Sequence, residues 1–246
     1  MKDLNWIKNG LIAHRGLHTI DKSVPENSMM AFHNAIAKGY GIEMDVNILK
    51  DGTVVVFHDK NLNRLCGVDQ YLIDLTFDDI KNLKILNTEE TIHTLSDVLT
   101  FINGRVPLLI ELKPYGDCDF FCGNFMKVMK DYQGLWAMHS FHPKYVKWFR
   151  NHHPEIIRGQ ISEYFKNDPK MNKVSKFLMK HLWVNSVTKP DFINYGIHDM
   201  PNRYLDRAQK KGILVIGYAS RSQTEFDKVK QYYSNSVFEF FEPTQR

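Results

Sequence analysis

The residues best placed to do chemistry stand in two apolar runs. In Gly41-Ile42-Glu43-Met44-Asp45-Val46, two carboxylates sit two residues apart among hydrophobic neighbours. If this run is a strand, its side chains alternate between faces, so Glu43 and Asp45 point to the same side. Two anions held side by side in an apolar setting are costly unless a cation or strong donors neutralise them. A divalent metal does this directly, and a salt-bridged structural pair is the alternative for this motif on its own. Leu109-Ile110-Glu111-Leu112-Lys113 repeats the layout with a third carboxylate and a lysine. Three strand-borne carboxylates suit one hard, oxygen-ligated cation such as Ca²⁺ or Mg²⁺. Lys113 can meet an anionic substrate group as a point charge, or serve as counter-ion to Glu111. Two further runs end in histidine: Leu11 to Ala13 delivers His14, Arg15 and Gly16, and Val54 to Phe57 delivers His58 and Asp59. Two such histidines suggest a proton-transfer pair, because imidazole titrates near neutral pH. Arg15 adds a planar fork that matches a phosphate.

The elements that must position these residues follow from the spacing of apolar runs. Strands are expected at Leu11 to His14, Gly41 to Val46, Thr53 to His58, Pro107 to Leu112, Leu135 to His139, Ile156 to Ile161, Asp191 to Tyr195, Ile213 to Ala219 and Ser236 to Phe240. Helices are expected at Ser28 to Lys38, with Asn27 or Ser28 as cap and Gly39 at its end, and at Thr94 to Phe101, Phe120 to Met129, Tyr145 to Asn151, Tyr204 to Lys211 and Glu225 to Tyr232. This alternation, with no Pro/Gly/Ser-rich linker, predicts an α/β fold, a (β/α)8 TIM barrel formed as one domain over residues 1–246. Nine runs for eight staves mean that one is not a strand or lies outside the barrel. The link from Val46 to Thr53 is too short for a crossover helix, so the barrel is expected to be irregular around its second and third strands. Asn61 to Thr91 reads as a small insertion with a short helix near Phe77 to Leu83. In such barrels the C-terminal strand ends form the active-site face, where the candidate residues should converge.

These residues resemble the glycerophosphodiester phosphodiesterase family. The resemblance rests on His14-Arg15-Gly16, Pro25-Glu26-Asn27-Ser28, Glu43-Met44-Asp45, Asp51-Gly52 to His58-Asp59 and Glu111-Leu112-Lys113, with weaker matches at Leu62, Arg64 and Ser140-Phe141. It implies a β/α barrel in which His14 and His58 are acid and base, Glu43, Asp45 and Glu111 bind the metal, and Arg15 and Lys113 contact phosphate. Asn27 is a further site candidate, although capping the next helix also explains it. The second half departs from the family pattern. Tyr218 stands where Trp is usual, and Val237-Phe238-Glu239-Phe240 replaces the usual closing strand. Tyr218 is a candidate for packing against the glycerol, with ordinary core packing as the alternative.

Bulk properties set the boundaries of this reading. Hydrophobic residues make up 43% and charged residues 24%, enough for a sizeable core. A net charge of +4 mildly favours anionic substrates and falls short of a nucleic-acid-binding signature. Cys66, Cys118 and Cys122 form no disulfide framework, and Met1 to Gly10 lacks the apolar core of a signal peptide, so a cytoplasmic setting is expected. The expected partner is a small glycerophosphodiester, with no nucleic acid and no stable membrane insertion. A lysophospholipase D or cyclising lyase on the same barrel, and an inactive phosphodiester-binding protein, are the competing readings.

Overall fold

The strand that carries Glu43 and Asp45 is buried from end to end. Ile42, Met44, Val46 and Ile48 supply one hydrophobic face, while Glu43, Asp45 and Asn47 share the other. The computed structural model describes residues 2–166 and 168–244, whose compact units are Ile12–Trp136 and, separately, the described residues of 2–11 with those of 137–244.

In the Ile12–Trp136 unit, β1 (Ile12–Ala13) and β4 (Leu108–Leu112) flank β2 (Gly41–Ile48), both parallel to it. β3 (Val54–Val56) instead folds back antiparallel onto the end of β2, pairing Val56 with Val46 and Val54 with Ile48. The expected run from Thr53 to His58 is therefore the odd one of the nine. The few residues between β2 and β3 allow a hairpin and no crossover, so the chain doubles back and returns His58 towards the level of Asp45.

The segment after β3 forms a local core. Leu62, Leu65, Leu72, Ile80, Ile85 and Ile92 pack with Leu49, Val55 and Phe57 of the hairpin. Each such side chain contributes about 1.5–3 kcal/mol on burial, so the insertion is a brace for the turn that presents His58. The short helix expected there is Phe77–Ile80, closed by a capping box between Thr76 and Asp79, and a further helical turn, Asn63–Cys66, precedes it. The helix Met29–Ala37 is capped by Ser28, whose hydroxyl accepts from the Ala31 amide. The helix Leu95–Ile102, capped by Thr94, buries Leu95, Val98, Leu99 and Ile102.

In the other unit, β5 (Trp136–Ser140), β6 (Arg158–Ser162), β7 (Phe192–Gly196), β8 (Leu214–Ser220) and β9 (Asn235–Phe238) run parallel in that order. The helices Pro143–His152, Arg203–Lys210 and Gln223–Tyr232 lie where the apolar spacing predicts them. Leu205, Ala208 and Val229 pack with Ile193, Tyr195 and Val215 of the strands. The helix Lys173–Lys180 lies outside the elements expected from the sequence; it buries Met179 and leaves Val174 and Phe177 exposed.

Candidate active site

Strand register builds the acidic centre. In the parallel pairing of β2 and β4, Asp45 lies beside Glu111, and alternation puts Glu43 on the face of Asp45 and Lys113 on that of Glu111. One ligand oxygen from each of Glu43, Asp45 and Glu111 lies within 4.8 Å of the others, and all three residues are buried. Lys113 Nζ stands 2.8 Å from Glu111 Oε1, to which it donates, and 2.9 Å from Asp45 Oδ1. The latter contact is electrostatic without hydrogen-bond alignment, so Asp45 Oδ1 accepts no hydrogen bond among the described residues. A buried carboxylate oxygen left in this state, beside two further carboxylates, fits the donor set of a hard divalent cation.

The turn after β1 is tied to this centre. Arg15 has φ +55° and Gly16 φ +77°, and the Arg15 amide donates to Glu43 Oε2 at 3.0 Å. Gly16 is required, since a Cβ there would stand 2.9 Å from the Ala31 backbone carbon and Cβ in a conformation that L side chains rarely adopt. The turn places His14 Nε2 3.8 Å from Glu43 Oε2 and Arg15 Nε 3.2 Å from Asp45 Oδ2. Asn27, also left-handed at φ +56°, grips Asp45 from both ends of its amide. Nδ2 donates to Asp45 Oδ2 at 2.9 Å, and Oδ1 accepts from the Asp45 amide at 3.2 Å. Ser28 is the cap, so capping does not account for Asn27.

His58 reaches the same centre from the hairpin. Asn47 Nδ2 donates to the Phe57 carbonyl at 2.8 Å, fixing the return of the chain, and His58 Nδ1 lies 2.6 Å from Asp59 Oδ1. A charged chain continues from there. Arg64 Nε donates to Asp59 Oδ2 at 2.5 Å, Arg64 Nη2 donates to Glu26 Oε1 at 2.7 Å, and Arg15 Nη1 donates to Glu26 Oε1 at 2.8 Å. Burial opposes ionisation of Asp59, but the hydrogen bonds from His58 and Arg64 outweigh it and pull the carboxyl below its ordinary range. Asp45, fully buried, is likewise held well below its usual value, because Lys113 and Arg15, with His58 and His14, overcome desolvation. Both histidines thus bear on one carboxylate. Glu43 behaves oppositely: burial first, then the charge of Asp45, push it up to about 7. Five carboxyl groups (Glu26, Glu43, Asp45, Asp59, Glu111) face three permanent cations (Arg15, Arg64, Lys113), an excess of one negative charge while Glu43 holds its proton and of two once it ionises.

With this geometry in place, the comparison with known proteins is decisive for kinship. The family model described as the glycerophosphoryl diester phosphodiesterase family matches residues 14–238. The chain belongs to that family. A glycerophosphodiester phosphodiesterase of Caldanaerobacter subterraneus is 30% identical over 168 residues, covering 67% of this chain and 63% of that protein. One of Bacillus altitudinis is 34% identical over 110 residues, covering 42% and 44%. The chain therefore spans less than two thirds of these curated relatives. Among solved structures, an Oleispira antarctica phosphodiesterase in complex with the product sn-glycerol-3-phosphate superposes with a TM-score of 0.80 at 22% identity, over 95% of this chain and 94% of that one. The glycerophosphodiester phosphodiesterase of Thermotoga maritima gives 0.71 at 22% identity over 93% of each. These likenesses establish the fold as the parallel eight-stranded β/α barrel of the family.

For this family member, His14, Arg15, Asn27, Glu43, Asp45, His58, Glu111 and Lys113 all fall within the Ile12–Trp136 unit and join in the contacts above. Tyr218 lies in the other unit, on β8. Its ring meets Phe141 edge-on at 5.7 Å between centroids, and its hydroxyl donates to Glu163 Oε2 at 3.0 Å. Sequence reasoning assigned no role to Glu26, Asp59 or Arg64. Their signal was present, since each is a charge inside or just beyond a matched motif, but no spacing rule joins residues 26, 59 and 64.

Proposed function

We propose that this protein hydrolyses glycerophosphodiesters to glycerol 3-phosphate and an alcohol, with His14 and His58 moving the protons and Glu43, Asp45 and Glu111 holding one divalent cation, Ca²⁺ or Mg²⁺. The observation that carries the reading is the buried trio of carboxylates, with an Asp45 oxygen that accepts no hydrogen bond, ringed by two histidines and the cations of Arg15 and Lys113. The product named for the Oleispira antarctica neighbour supports the substrate class. When bound, the cation supplies positive charge for the phosphate oxygens as negative charge builds on phosphorus.

The chain's own groups do the rest. The Arg15 fork, braced by Glu26, orients a non-bridging oxygen, and Lys113 adds a second charge. Asp59 occupies Nδ1 of His58, which leaves Nε2 for the reacting oxygen. One histidine takes the proton of the attacking oxygen and the other protonates the departing alcohol. Asn27 acts by holding Asp45, and Tyr218 is assigned to the alcohol part of the substrate.

Glycerophosphocholine with a coupled glycerol 3-phosphate assay tests the proposal. Turnover is expected, lost in EDTA and restored by added Ca²⁺ or Mg²⁺. Absence of glycerol 3-phosphate with every divalent metal refutes the activity, and turnover indifferent to EDTA refutes the metal.

A second expectation concerns pH. With the Glu43 carboxyl raised to about 7, a cation must displace its proton around neutrality. Apparent metal affinity should therefore fall about tenfold per pH unit as the pH drops below 7. Calorimetric titrations between pH 5.5 and 8 check this, and a flat affinity removes Glu43 from the ligand set.

A further inference from the structure

The connection from β6 to β7 carries an unusual surface. Among the described residues of its unit, five large hydrophobics stand exposed, and four of them fall within residues 174–187: Val174 at 68%, Phe177 at 45%, Trp183 at 60% and Val187 at 45%. On the helix Lys173–Lys180, at about 100° per residue, Lys173, Phe177 and Val174 share one outward arc with Lys180 and Lys176 along its flank, while Met179 is buried on the far side. Phe177 meets the Trp183 ring edge-on at 5.2 Å, extending the apolar strip beyond the helix.

Charge on this segment is one-sided. Residues 163–189 hold six lysines and two carboxylates, Glu163 and Asp168. Both acids are engaged internally: Glu163 accepts from Tyr218, and Asp168 accepts from the backbone amides of Lys170 and Met171. Lys166 pairs with Asp199. Lys170, Lys173, Lys176, Lys180 and Lys189 form no ion pair among the described residues, and the Lys180 ammonium rests over the Tyr164 ring at 4.1 Å.

Exposed aromatic and aliphatic side chains set among unpaired lysines are what a lipid–water interface selects. The rings and aliphatic groups enter the headgroup layer, and the ammonium groups reach the phosphates. A second copy of this chain fits poorly, since two such faces would bring like charges together. We propose that this segment docks the protein on the surface of an anionic phospholipid bilayer, as a peripheral contact. No helix among the described residues is long and apolar enough to cross a membrane. The proposal stands independently of the reaction, because binding is read without turnover.

Co-sedimentation of the full chain with vesicles tests it, comparing phosphatidylcholine alone with phosphatidylcholine containing about one third phosphatidylglycerol. Binding is expected to the anionic vesicles only, and to weaken as salt is raised. Each lysine near such a surface strengthens binding about fivefold, so Lys173→Gln with Lys176→Gln should lower the partition about thirtyfold. Phe177→Ser with Trp183→Ser should remove the binding that survives high salt. These side chains are solvent-facing or flank the exposed arc, so a wild-type circular dichroism spectrum accompanies the loss. Equal binding to both vesicle types, unchanged binding by both variants, or self-association of the wild type that Trp183→Ser abolishes would overturn the proposal.

Discussion

Alanine at His14 or His58 is expected to lower kcat at least about a hundredfold while the cation still binds. Neither imidazole belongs to the carboxylate trio, so metal affinity measured by calorimetry should stay within a few fold of wild type. KM should change little if the substrate is held by Arg15, Lys113 and the cation, and the loss then appears equally in kcat and kcat/KM. If the histidines serve one proton circuit, as proposed, the two variants should also be non-additive: the double variant falls little below the worse single one. A steady-state comparison of the three proteins on glycerophosphocholine decides this. Near-normal kcat in either single variant would remove that histidine from the chemistry.

Asp45→Asn is expected to be more disruptive than its size suggests. The substitution keeps the shape and removes one buried charge that Lys113, Arg15 and Asn27 all address. Metal affinity should fall at least about a hundredfold, as is common when a charged ligand is lost, and activity should fall with it. Stability should fall too, by about 3–5 kcal/mol, since breaking a buried pair leaves cationic groups without their partner. The sign of the pH dependence follows from the depressed carboxyl. Its contribution to stability is present above the ordinary carboxylate range and is lost as the pH falls through the lower, folded-state value. Urea unfolding of both metal-free proteins should therefore show curves that converge in acid. A variant as stable as wild type at neutral pH would mean that the Asp45 contacts contribute nothing net.

Much of this site was legible in one dimension because β-strands carry a strict two-residue period. Glu43 with Asp45, and Glu111 with Lys113, share faces by that period alone, and burial of β2 and β4 on both faces explains why carboxylates there demand a partner. Other features depend on register between strands. That Asp45 lies beside Glu111 follows from the pairing of β2 with β4, which no local pattern specifies. The hairpin at β3 was foreshadowed by a short link, yet its antiparallel return, and the core that Leu62, Leu72 and Ile80 build behind it, come from packing. Asn27 shows the division within one residue. Its type and place before a helix fitted a cap equally well, and the left-handed turn that swings its amide onto Asp45 resolved the choice in favour of Ser28.

By itself, the sequence determined the alternation of strands and helices, the two histidines, the three carboxylates and the family to which they belong, because each is written in local period and ordered motifs. Tertiary structure alone decided the chain from His58 through Asp59, Arg64 and Glu26 to Arg15, the grip of Asn27 on Asp45 and the lysine-flanked apolar strip before β7. Those depend on which side chains distant segments bring within a few ångströms, and on which face a helix leaves to solvent, and neither is encoded in spacing along the chain.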